Sequence, residues 1–181
     1  MKRLLVLVGI SCALSSTASS MASAGTNDHP TGTVGLVREV RAATREFRDV
    51  NAAIAAGYAS LGSCVTGPER GAMGVHFANG ALVGDGALDA SRPELLLYEQ
   101  RGGRLRLLGV EFLVIAADWH ANNPAPPVLM GQHFQYVGSP NRYGLPPFYE
   151  LHVWAWRDNA FGTFVDWNPE VSCDEYTGHD H

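Results

Sequence analysis

Four residues far apart in the chain have the chemistry of metal ligands: His76, Glu111, His133 and His152. Neutral imidazole and carboxylate together suit a borderline divalent transition metal such as zinc, iron, copper, manganese or nickel. Each sits in a stretch that reads as a strand. In Tyr149 to Trp156, alternation places Glu150, His152, Trp154 and Trp156 on one face and Leu151, Val153 and Ala155 on the other. Glu111 is flanked by apolar residues on its own face, and a buried carboxylate is costly unless it is paired, protonated or metal-bound. His76 and His133 both follow a glycine-containing stretch and both precede a Phe. Their imidazoles are therefore expected to share one cavity while Phe77 and Phe134 enter the opposite layer. In that arrangement Glu150 orients a histidine. Tyr98, Trp154 and Trp156 wall the cavity, with Arg142 and Tyr143 at its mouth.

Two other readings use the same residues. If Glu94 faces Glu111, the pair shares a proton, and one of the two serves as an acid or base. Trp119, Trp154, Trp156, Trp167 and Tyr143 alternatively suggest an aromatic-lined module that binds a sugar or small molecule without catalysis. The plainest reading is that each histidine is separately satisfied by hydrogen bonds. His120 reads as loop surface near the rim, and His179 and His181 as a frayed tail. No Walker loop, Rossmann glycine motif, GxSxG or HExxH is present. Cupin barrels gather comparable ligands from separate strands, but their His-x-His run is missing, and Glu150-Leu151-His152 is the nearest counterpart.

The elements that must position these side chains follow from periodicity. Val40, Ala43, Phe47, Val50 and Ile54 recur at helical spacing, which predicts one helix of about 20 residues ending at Gly57. Strands follow it. Gly102-Gly103 suits a primed hairpin turn and pairs Glu99 with Arg106, Tyr98 with Leu107 and Leu95 with Val110. That register places Glu111 opposite Glu94 and on the face of Tyr98. Further strands are expected at 72–78, 81–83, 132–137 and 148–156, with Pro-rich loops at 118–127 and 139–147. Asp166-Trp167-Asn168-Pro169 reads as a closing turn. The predicted fold class is α+β: one long N-terminal helix packed on a curled antiparallel β-sheet or small β-barrel.

Composition sets the outer limits. The chain has 181 residues, 46% of them hydrophobic, enough to bury the core of a single domain. Its net charge of −5 argues against nucleic acid as a partner. Lys2 and Arg3, an apolar run to Leu14 and Ala22-Ser23-Ala24 form the layout of a secretory signal peptide over 1–24. Residues 25–35 then read as a flexible segment and 36–181 as one globular domain. No later segment is apolar enough for a membrane span. Lys2 is the only lysine, so a mature chain has no amine for Schiff-base chemistry. Cys64 and Cys173 remain after the leader, and in an exported protein they are expected to form a disulfide.

The segments Gly71-Ala72-Met73-Gly74-Val75-His76-Phe77 and Asn141 to Trp154 resemble a family of small exported bacterial proteins of uncharacterised activity. That resemblance implies export and a single compact domain, and it carries no mechanism. The sequence therefore points to a secreted metal-binding protein, or a metalloenzyme acting on a small molecule. The aromatic binding module is the alternative.

Overall fold

The expected single helix is broken in two. In the computed structural model, which describes residues 33–67 and 69–178, α1 spans Thr33–Ala43 and α2 spans Val50–Ala55, with a 3-10 turn at Glu46–Arg48 between them. The hydrophobic period runs through the break, but two side chains override it. Thr44 is buried, and its hydroxyl donates to the Val40 carbonyl at 2.7 Å. Asp49 leaves helical geometry at ψ 112° and caps α2 by accepting from the Asn51 N–H. The break turns the apolar stripe, so Val40 is buried while Ile54 is exposed. The α+β expectation with a long N-terminal helix is thus corrected. The described chain is mostly antiparallel sheet, curled into a six-stranded half-barrel, and α1 is the longest of the short helices among the described residues.

That sheet contains β1 (Ala59–Gly67), β2 (Gly71–Ala78), β3 (Leu95–Arg101), β4 (Arg104–Ile115), β7 (Gln135–Val137) and β8 (Phe148–Val153), in the order β1-β2-β3-β4-β8-β7. A separate pair is formed by β5 (Val128–Leu129) and β6 (Gln132–His133). Between β2 and β3 the expected strand at 81–83 is instead a helical turn, α3 (Gly80–Val83), capped by the Asn79 side chain. The last helix is α4 (Ala116–His120). Among the described residues no helix is long and apolar enough to cross a membrane. The signal segment at 1–24, the start of the flexible segment, and His179 and His181 lie outside the described residues.

One sheet face packs on the helical segment. Val75, Phe77, Leu96, Tyr98, Val110, Phe112, Leu151 and Val153 meet Leu36, Val40 and Ala53 there. Tyr98 locks the layers by donating its hydroxyl to the Phe47 carbonyl at 2.6 Å. The other face carries Leu95, Leu113 and Phe148 beside a row of ionisable side chains.

Cys64 on β1 is disulfide-bonded to Cys173, with Cα atoms 5.7 Å apart and a sequence separation of 109. The bond pins the C-terminal segment to β1, and Tyr176 adds a hydrogen bond from its hydroxyl to the Gly62 carbonyl. Replacing both cysteines by alanine is expected to cost about 2–4 kcal/mol of stability. Urea denaturation measures it, and an unchanged midpoint would contradict the bond's role.

Candidate metal centre

The hairpin at Gly102-Gly103 has the predicted register as far as Tyr98 opposite Leu107, and both turn glycines have the positive φ of a primed turn. Beyond that point Leu97 faces Gly109, and Leu108 is an unpaired bulge residue. The Leu108 carbonyl is taken up by the N–H groups of Trp156 and Arg157, at 2.9 and 3.0 Å. The bulge exchanges the two faces of β4. Tyr98 and Leu107 enter the helix-side core, whereas Glu111 faces the opposite way, paired with Leu95. Tyr98 is therefore no cavity wall.

Glu111 sits between histidines from both flanking directions. His76 on β2 is opposite Leu97, and His152 on β8 is directly opposite Glu111. Gly109 permits the close approach of β4 and β8, since a Cβ there would run into the Val153 carbonyl. Glu111 Oε2 lies 3.4 Å from His76 Nε2 and 3.8 Å from His152 Nε2. The three residues are 2%, 3% and 1% exposed in the order His76, Glu111, His152. Both separations exceed ordinary N–H···O hydrogen-bond lengths of about 2.7–3.2 Å. All four imidazole nitrogens of His76 and His152 are buried without a hydrogen-bond partner among the described residues. Orphaned buried polar atoms are rare and costly. Ligands about 2.0–2.1 Å from a tetrahedral zinc lie about 3.4 Å apart, close to the spacing here.

A second carboxylate meets the far side of His152. Asp166 Oδ1 is 3.4 Å from His152 Nδ1 and accepts a hydrogen bond from the Gln135 side chain at 2.5 Å. His76, Glu111 and His152 form one group that could hold a metal ion, and Glu150, His152 and Asp166 form an overlapping one.

No protein-family model, curated protein or solved structure matches the chain.

The electrostatics come from burial and mutual proximity. Burial, reinforced by the neighbouring His152 charge, pulls His76 down to about 3, so its ring is neutral at physiological pH. Burial pushes Glu111 up, against the pull of His152, and the adjacent Glu150 adds to the rise. His152 is pulled down by burial, but Glu111, Asp166 and Glu150 more than offset this and raise it. Burial raises Asp166, but His152 and Gln135 hold it below its ordinary value. Three carboxylates around two imidazoles form a site that favours an added positive charge.

Other predicted positions fall elsewhere. His133 is exposed on the β5–β6 pair, opposite Val128, because Gln132 to Val137 is two short strands and not one. Glu150 shares the ligand face, opposite Leu113, but Asp166 is the carboxylate on the His152 ring nitrogen. Glu94 does not face Glu111. Its neighbour Leu95 does, and Glu94 Oε2 instead accepts the Leu113 N–H at 3.0 Å. Strand β8 ends at Val153, so the indoles part company. Trp154 donates to the Val165 carbonyl, and Trp156 crosses to the helix side and donates to Thr44. Neither lines the cavity, which weakens the aromatic-module alternative. Trp119 is held on α4 by the Ala125 carbonyl. His120 contacts Tyr149 and the Asn123 carbonyl, away from the ligands. Arg142 and Tyr143 do line the cavity beside His76, and the Tyr143 and His76 ring centroids are 6.5 Å apart. Asp166 was the residue that pattern reading missed. Its only signal was a place in a turn, and turns rich in Asp and Asn are ordinary.

Proposed function

We propose that this is an exported protein that binds a divalent transition metal through His76, Glu111 and His152, with Asp166 orienting His152. The observation that carries the reading is the pair of buried imidazole Nε2 atoms, one from His76 and one from His152, that face the buried Glu111 carboxylate without a hydrogen bond among the described residues. A metal ion satisfies the inner nitrogens and offsets the negative charge. Two imidazoles and one carboxylate are also the donor set of a catalytic zinc site that keeps a fourth position open. His76 and Glu111 border the cavity, so that position would be reached from it. The disulfide and the signal-like leader support export.

Asp166 supplies a test that leaves the ligands in place. Carboxylate partners of metal-bound histidines typically contribute about 10–100-fold to affinity. Asp166→Asn is expected to weaken zinc binding by about that factor in a competitive chelator titration, with the fold intact by circular dichroism. Unchanged affinity would remove Asp166 from the site.

A further inference from the structure

The metal centre forms part of the wall of a cavity of about 430 Å³. That is the size of a small-molecule site. Leu61 and Val65 of β1, Val83 of α3, Leu95 of β3, Leu113 of β4 and Leu145 line the rest of it. A bulge in β1 opposite His76 carries Leu61 and Ser63 to the edge of the cavity. Apart from His76 and Glu111, the described polar lining is Ser63, Tyr143 and Arg142. Arg142 makes no ion pair among the described residues. Its guanidinium lies over the Trp167 ring, 5.5 Å from the centroid, which holds it at the mouth.

We infer that the cavity takes a small carboxylate with an apolar body, of the class of short- and medium-chain fatty acids. Its head group meets the metal beside Arg142, and its chain lies along the aliphatic walls. The inference rests on the metal reading above. A sugar would find too few convergent polar groups, and a cation would be repelled by both Arg142 and the metal. An uncharged chain would fill the walls but make no ion pair with Arg142, whose side chain is exposed at the mouth.

The test is calorimetric titration of zinc-supplemented protein with decanoate, decanol and decyltrimethylammonium, with zinc content measured on the same samples. Decanoate should bind, decanol at least about tenfold more weakly, and the ammonium compound not detectably. Arg142→Gln should lose about tenfold in decanoate affinity while keeping its zinc. Ser63→Trp, at an exposed position on β1, should block decanoate and also keep its zinc. Zinc-bound protein that ignores decanoate, prefers decanol, or is indifferent to both substitutions overturns the inference. Protein that holds no zinc overturns the metal reading and this inference with it, and the zinc measurement tells the two failures apart.

Discussion

Glu94→Gln should stabilise the protein increasingly as pH rises from 5 to 8. Glu94 is buried, and burial is the main reason its carboxyl is raised from 4.5 to about 8, against the opposing Leu113 N–H. Between those values the folded protein keeps a proton that the unfolded chain releases. Stability therefore falls as pH climbs, by about 1.4 kcal/mol per pH unit for a fully shifted group. The contribution is complete below the unfolded value and gone above the folded one. Glutamine keeps an oxygen for the Leu113 N–H and has no proton to hold. Urea denaturation of both proteins at pH 5 and pH 8 should show the gap widening in favour of the variant by about 3–4 kcal/mol. Titration elsewhere, including at Glu111, cancels in that comparison. A gap independent of pH would mean that Glu94 ionises in the folded state as it does in water.

The second large effect concerns the ligands. His76→Ala, Glu111→Gln and His152→Ala should each lose more affinity for zinc than the roughly 10–100-fold expected of Asp166→Asn. His133→Ala should lose none, because His133 is exposed on the β5–β6 pair. Metal ligands must shed their protons to bind. Glu111 and His152 both hold protons above their ordinary range in the metal-free site. Zinc affinity should thus rise with pH through neutrality, with proton release on binding. Competitive titration at pH 6 and pH 8 measures the trend. An equal loss in His133→Ala, or affinity that falls with pH, would contradict the assignment.

Local patterning made part of this site legible. Alternation in β8 put Glu150 and His152 on one face and Leu151 and Val153 on the other, as the strand has them. The glycine pair located the hairpin and its register to Tyr98 opposite Leu107. What pattern could not supply was the bulge at Leu108, fixed by carbonyl contacts with Trp156 and Arg157 some fifty residues on. One unpaired residue moved Tyr98 off the site face and separated Glu94 from Glu111. The helix failed in a similar way, because Thr44 and Asp49 made local hydrogen bonds that periodicity does not count. His133 looked equivalent to His76 from its neighbours alone. It differs only in the strand it joins, a tertiary fact. Asp166 lies in a loop whose approach to His152 depends on the whole sheet, with Gln135 of β7 holding its carboxylate.

The most direct test is the metal content of protein purified without an affinity tag, by elemental mass spectrometry, before and after incubation with zinc at neutral pH. The account predicts one bound equivalent of a divalent transition metal per chain, retained in His133→Ala and lost in Glu111→Gln. Wild-type protein that is metal-free and cannot be loaded would contradict it.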